Sequence, residues 1–250
     1  MDSARPRLRI GRRFCGPPGA ANGGFASGSL AALLGGTVDV EVSLRRSVPL
    51  ERPLGVRHDG DALLLEDDGW LLAEARPPAA EVELTVPDAP TPQEARAAAG
   101  RGPYYGDPLF PDCFVCGPAR APGDGLRIFP GRVPRRPVWA APWTPDPSVG
   151  GLDGQVRNEV VWAALDCPGG VAAAEAAAVP AGTPVLLGQM TARLGARPRI
   201  GTEYRLVAWL LGRDGRKLTA GSALLGSDGE VVAAARALWV TVARTAGGSR

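Results

Sequence analysis

Residues 63–76 read Leu63-Leu64-Leu65-Glu66-Asp67-Asp68-Gly69-Trp70-Leu71-Leu72-Ala73-Glu74-Ala75-Arg76, and residues 223–236 read Ala223-Leu224-Leu225-Gly226-Ser227-Asp228-Gly229-Glu230-Val231-Val232-Ala233-Ala234-Ala235-Arg236. Leu64, Leu65, Asp68, Gly69, Ala73, Ala75 and Arg76 recur 160 positions later, and Leu71-Leu72 is matched by Val231-Val232. Each copy is an apolar run, an Asp-Gly turn and a second apolar run, the pattern of a β-hairpin. A unit repeated twice at so long a period predicts a duplicated domain, not a solenoid. The alternative is two unrelated hairpins that share turn chemistry.

The surrounding segments extend the pattern. Asn22-Gly23-Gly24 opens Phe25–Leu34, with Asn22 as N-cap and Gly35-Gly36 as terminator of a helix. Val38-Asp39-Val40-Glu41-Val42-Ser43-Leu44 alternates strictly and predicts a strand with one buried face. Further strands are expected at 53–58, 61–66 and 70–76. Residues 77–112 are rich in Pro and Ala, hold a short helix at 92–99, and read as a connector. The second half starts near Cys113, with strands at 126–130 and 137–143. A helix follows from Gly154 to Asp166, stopped by Pro168-Gly169-Gly170, and 168–184 reads as an insertion. Strands are then expected at 186–194, 202–212, 217–226 and 230–242. Residues 1–19 read as an arm or covering strand. Each half is thus a helix followed by consecutive strands on short turns, which suits antiparallel pairing.

Bulk composition narrows the function. A net charge of +2 implies no field for nucleic acid or a membrane surface. No apolar stretch approaches the ~20 residues of a membrane-spanning helix, and the first residues lack the apolar core of a secretory signal. Four cysteines among 250 residues are too few for a disulfide scaffold, so a cytoplasmic protein is expected. Lys217 is the only lysine among 28 basic residues, which weakens any argument from an isolated arginine.

In this order the segments resemble the hotdog fold, specifically the double-hotdog acyl-CoA thioesterase II type. Four stretches carry the resemblance. They are Asn22-Gly23-Gly24 with its small-residue helix, Trp162-Ala163-Ala164-Leu165-Asp166, Asp228-Gly229-Glu230-Val231-Val232-Ala233, and Phe114-Val115-Cys116-Gly117 ahead of Gly123-Asp124-Gly125-Leu126. The resemblance implies an α+β double hotdog, two curved antiparallel sheets each wrapping a central helix. Its units fall at 1–76 and 113–250, joined by 77–112. It further implies a catalytic aspartate at Asp166 and an acyl-CoA or acyl-carrier thioester as substrate. One departure bears on chemistry: the late-strand glutamine of that type is replaced by Ala233-Ala234-Ala235-Arg236-Ala237.

The residues themselves offer further candidates. Gln155, Glu159, Trp162 and Asp166 share one helical stripe, beside an apolar stripe of Val156, Val160, Ala163 and Cys167. Asp166 can act as a general base with its pKa raised by burial, and Glu159 is the alternative base. The competing readings place Glu159 on a solvated face and Asp166 as a cap of the Pro-Gly turn. Gln189 and Thr191 lie two apart on a strand and so share a face; the resemblance implies that either could orient water from it, and an ordinary solvent-facing strand pair is the alternative. Gly23, Gly24 and Gly154 are placed to open helices whose amides can hold an oxyanion, or simply to allow close packing. With Asn22 and Trp162 they form the expected substrate-binding set. Arg45-Arg46, Arg135-Arg136 and Arg216-Lys217 are candidate partners for phosphates.

Cys113-x-x-Cys116 suggests zinc or redox chemistry, but a structural zinc site takes four ligands. Cys15, Cys167 and His58 do not make a second pair, so buried thiols are expected, with no metal and no cofactor. His58, beside Asp59-Gly60, reads as a hairpin-tip residue, and no serine-hydrolase elbow, P-loop or dinucleotide fingerprint occurs. Thioester hydrolysis is the leading expectation. A hotdog dehydratase or hydratase and a non-catalytic acyl-binding protein are the alternatives. Hotdog units pair, so a duplicated chain is expected as a monomer or homodimer.

Overall fold

The computed structural model describes residues 6–35, 39–79, 84–87 and 89–243; Gly36 and Val38, at the expected ends of the first helix and strand, lie outside them. Asn22 caps α1 (Gly23–Leu34), its side-chain oxygen accepting from the Phe25 N–H, and Gly35 at φ 67° ends it. Nearly every side chain of α1 is small or apolar, so the helix is buried almost all round, as a central helix requires. Four strands follow: β2 (Asp39–Leu44), β3 (Leu54–Asp59), β4 (Ala62–Asp67) and β5 (Trp70–Arg76), with β1 (Arg7–Leu8) added at the edge of β3. Asp68 and Gly69 both have positive φ, 47° and 80°, the requirement of the tight turn that joins β4 to β5.

Residues 92–98 form α2 (Pro92–Ala98), fixed by a reciprocal cap between Thr91 and Glu94. The second half holds β6 (Gly131–Arg132), β7 (Trp139–Trp143), α3 (Asn158–Ala176), β8 (Val185–Leu194), β9 (Tyr204–Asp214), β10 (Lys217–Leu225) and β11 (Val231–Thr241). All strands join one antiparallel sheet of order β1-β3-β4-β5-β2-β8-β11-β10-β9-β7-β6.

That order contains the same arrangement twice. After α1 the strands run β2-β5-β4-β3 across the sheet, and after α3 they run β8-β11-β10-β9. The repeated sequence falls on equivalent hairpins, β4–β5 and β10–β11. The two sets meet where β2 pairs with β8, from Asp39 opposite Arg193 to Ser43 opposite Gln189.

The two helices touch through glycine. A Cβ on Gly24 would lie 2.5 Å from Asp166 Cβ and 2.7 Å from the Trp162 carbonyl oxygen. One on Gly28 would lie 2.7 Å from both Glu159 Cα and Trp162 Cβ. Side chains at these two positions would force the helices apart.

Three local expectations are corrected. Residues 126–130 are not a strand of the sheet; the Leu126 and Ile128 amides donate instead to the Phe114 and Val115 carbonyls at 2.8 and 2.9 Å. The second helix starts at Asn158, not Gly154, which sits in an exposed turn at φ 70°. It also continues through Pro168-Gly169-Gly170 to Ala176. The helix survives there because its packing outweighs the lost Pro168 bond: Gly170 admits the Trp239 ring, which a Cβ would approach to 2.8 Å. The Leu165 carbonyl accepts from Ser222 Oγ of β10 at 2.8 Å in the same stretch. No helix among the described residues is long and apolar enough to cross a membrane.

Candidate active site

Asp166 ends the first half of α3 and is 2% exposed. Its Oδ2 accepts from the Gly24 backbone N–H at 2.8 Å and from Asn22 Nδ2 at 2.9 Å. The helix start of one half therefore grips the carboxylate of the other. Asn22 does two jobs with one amide, since its oxygen caps α1 while its nitrogen donates to Asp166. Oδ1 of Asp166 is buried with no hydrogen-bond partner among the described residues.

Burial pushes the Asp166 carboxyl up to about 7, against the lowering effect of the Gly24 and Asn22 bonds. A carboxyl in that range gains and loses its proton near neutrality, which suits acid–base chemistry.

Asp166 forms part of the wall of a cavity of about 1190 Å³. Gly23 and Asn22 line it from α1, and Cys167, Gly170, Val171, Ala174 and Glu175 from the later turns of α3. Leu186, Leu187 and Trp239 close it from the sheet, Tyr104, Cys113 and Cys116 from the connecting segments, and Arg45, Arg46 and Arg132 add positive charge. Glu175 is a second carboxyl here. Its Oε2 accepts from Trp139 Nε1 at 2.6 Å, Oε1 is buried without a partner among the described residues, and burial raises its pKa.

The cavity gathers Asp166, Asn22 and Gly23 from the expected set. Gly24 lies behind them, its amide committed to Asp166 and its Cα against α3. The other candidates lie elsewhere. Gln189 and Thr191 alternate with Met190, which is fully buried beneath the helices. Thr191 stands opposite Glu41 and Arg236, and Gln189 Nε2 donates to Ser43 Oγ at 3.1 Å, so both occupy the outer face of the sheet. That placement does not suit orienting a water at Asp166. Trp162 is buried in the helix–helix contact, and Glu159 is half-buried beside Arg157 at 3.5 Å; neither lines the cavity. Gly154 is absent from the wall, and His58 is exposed at the end of β3. Among the basic pairs only Arg45-Arg46 borders the cavity; Arg46 stacks on Trp70 with 4.2 Å to the ring centre.

Sequence reasoning missed Glu175 and the part of Cys167. Reading the helix as ended at Pro168 removed the periodicity that would have set residues 167, 170, 171, 174 and 175 on one stripe. The three sulfurs of Cys113, Cys116 and Cys167 lie within 4.8 Å of one another, and Cys113 and Cys167 are 3.6 Å apart.

Replacing Asn22 with Ala removes both the cap and a donor to a buried carboxylate. A loss of about 2 kcal/mol of folding stability is expected. A urea titration reads it as a lower midpoint at unchanged slope.

No protein-family model matches this chain, and no curated protein is significantly similar to it in sequence. Solved structures are similar in fold. A candidate thioesterase II from Thermobifida fusca YX superposes with a TM-score of 0.59 at 16% identity, over 97% of each chain. A tesB protein from Mycobacterium avium subsp. paratuberculosis gives 0.58 at 16% identity, over 89% of this chain and 88% of that one. A conserved hot dog-fold protein of unknown function from Alicyclobacillus acidocaldarius gives 0.58 at 13% identity, over 98% and 96%. The chain therefore has the hotdog fold.

Proposed function

We propose that this hotdog-fold chain is a double hotdog, with units at 1–76 and 113–250 joined by 77–112, that hydrolyses an acyl-CoA or related acyl thioester. The twice-used strand order and the paired repeat support the duplication. One observation carries the activity: a buried carboxylate at a cavity wall, with one oxygen fixed by the start of α1 and the other without a protein partner. In this reading Asp166 Oδ1 takes a proton from water as the water oxygen attacks the thioester carbonyl. The N–H of Gly23, at the positive end of α1, receives the developing oxyanion. The carbon–sulfur bond then breaks, the thiolate takes the proton from Asp166, and a carboxylic acid and a free thiol leave.

A volume of about 1190 Å³ exceeds a typical small-ligand pocket, so it suits a long substrate arm. Leu186, Leu187, Val171 and Trp239 suit the acyl chain, and Arg45 with Arg46 suits an anionic carrier. Free thiols at all four cysteines accord with a reducing, cytoplasmic setting.

A binding role without turnover is the second reading. It is favoured by β11, whose core-facing residues are Ala233, Ala235, Ala237 and Trp239, with no amide side chain among them. Thiol release from acyl-CoAs of graded chain length decides between the two. Hydrolysis supports the proposal, and binding without release by folded protein supports the alternative. Gln189→Ala and Thr191→Ala are expected to leave kcat/KM unchanged, because both lie on the outer sheet face; a collapse in either would place water-orienting chemistry there.

A further inference from the structure

The hydrolysis proposed above uses none of the three clustered thiols, yet they are built into the cavity wall with care. Cys113 and Cys116 sit on one tight turn, where the Gly117 amide donates to the Cys113 carbonyl at 2.9 Å. A side chain at Gly117 is excluded, since a Cβ would lie 2.4 Å from the Pro111 carbonyl oxygen and 2.5 Å from Cys113 N and O. The turn is anchored by Phe114, whose N–H donates to the Cys15 carbonyl at 2.8 Å and whose ring packs edge-on to Phe14 at 5.0 Å. Cys167 arrives from α3, whose register is fixed by the glycine contacts to α1.

We propose that Cys113, Cys116 and Cys167 form a three-thiolate site for a thiophilic metal ion of the zinc class, with its fourth coordination position open to the cavity. A tetrahedral ion bonded to sulfur at about 2.3 Å holds its sulfurs roughly 3.8 Å apart. The observed 3.6 Å between Cys113 and Cys167, and the 4.8 Å limit on the whole set, need only small side-chain adjustment to meet that. Thiolate ligands select soft or borderline ions over calcium or magnesium.

The surroundings favour the charged form at one of the three sulfurs, Cys113. Hydrogen bonds from the Cys116 and Cys167 thiols, joined by the backbone N–H groups of Cys116 and Val115, hold the Cys113 thiol well below the usual thiol range. Asn22 Nδ2 lies 3.6 Å from Cys167 Sγ and 4.0 Å from Cys113 Sγ, and the Tyr104 hydroxyl lies 3.6 Å from Cys116 Sγ. Such donors around ligand sulfurs are what a metal–thiolate centre requires. Donation to Cys113, with burial behind it, keeps Cys116 and Cys167 protonated otherwise, so the ion displaces their protons to solvent as the metal–sulfur bonds form. Asp166 is not a ligand in this scheme; its Oδ2 is committed to Asn22 and Gly24.

The test is a Co(II) titration of the reduced full-length protein, read by the visible absorption of tetrahedral thiolate-bound cobalt. Bands that saturate at one Co(II) per chain and vanish on adding Zn(II) are expected. They should be lost in Cys113→Ser, Cys116→Ser and Cys167→Ser, and kept in Cys15→Ser. Should a serine variant fail to fold, alkylation mapped by peptide on the wild type decides instead. Zn(II) should then slow labelling of Cys113, Cys116 and Cys167 and leave Cys15 unchanged. Absence of the bands in folded, reduced wild type overturns the site. So does their survival in all three serine variants, or a Cys113–Cys167 disulfide that forms in preference to metal binding. None of these readouts depends on thioester turnover.

Discussion

Under the proposed hydrolysis, Asp166→Asn is expected to lower turnover by about 10²–10⁴-fold, the usual contribution of a positioned general base. The substitution is a close replacement: an amide oxygen still accepts from Gly24 N–H and Asn22 Nδ2, now at 2.8 and 2.9 Å from Oδ2, while the proton-accepting oxygen becomes an NH₂ group. KM should change little and kcat should fall if, as proposed, the carboxylate acts on water and not on substrate binding. On chelator-treated protein, with no ion at the neighbouring thiols, wild-type kcat/KM should rise with pH through about 7 and level off above it.

The same carboxyl links stability to pH, and the sign follows from its raised pKa. The native state holds the proton up to about 7, whereas an unfolded aspartate releases it near 3.8. Between those values the folded chain binds more protons than the unfolded one, so this group's contribution falls as pH rises through that window. Its size is about 4 kcal/mol at most. Asp166→Asn lacks that decline. Melting temperatures of the two proteins should therefore diverge in the variant's favour between pH 4 and 8, in the same samples that show lost turnover. A variant that is both inactive and less stable throughout would mean that the charge serves folding, not catalysis.

The second large effect is on the helix pair. Gly24→Ala sets a methyl group 2.5 Å from Asp166 Cβ and 2.7 Å from the Trp162 carbonyl, a distance that real side chains do not tolerate. Overpacking of this kind costs about 1–3 kcal/mol, which outweighs the roughly 1 kcal/mol gain of Ala over Gly in a helix. Relief requires α1 to move from α3, which lengthens the 2.8 Å bond from Gly24 N to Asp166. Turnover should fall along with the denaturation midpoint. Gly169→Ala is the matched control on α3, where the new methyl meets Trp239 Nε1 at 3.5 Å and Ala220 Cβ at 3.6 Å, ordinary contacts. Gly169→Ala should be neutral or stabilising by up to about 1 kcal/mol. If the two variants behave alike, glycine at position 24 is not set by helix contact.

Much of the architecture was legible because it rests on periodicity and turns. The repeated hairpin, the Asn22 cap and the alternation of β2 are local signals, and each corresponds to an element of the sheet or its helix. Asp166 was legible as a candidate because a carboxylate on an apolar helix needs a partner. Its partners were not, since Asn22 is 144 positions away and only the helix crossing joins them. Pro168 and the two glycines after it read as a helix stop. Gly169 and Gly170 are instead contact points for Trp239 and Ala220 inside a longer helix that also carries Pro168, where tertiary packing overrides a breaker.

Gln189 and Thr191 share a face, as their spacing requires, but spacing does not say which face. A register shift at Gly188, where Leu238 pairs with Gln189 and Trp239 with Leu187, keeps Leu187 on the cavity side and sends Gln189 outward. The third cysteine was hidden by a separation of 54 positions and by the misread end of α3.

The most direct measurement is free-thiol release from a panel of acyl-CoAs of graded chain length, with Asp166→Asn measured beside the wild type. The account predicts turnover by the wild type on at least one chain length, lost in a variant that folds as well or better. Equal turnover in both proteins, or none from folded wild type on any thioester, would contradict it.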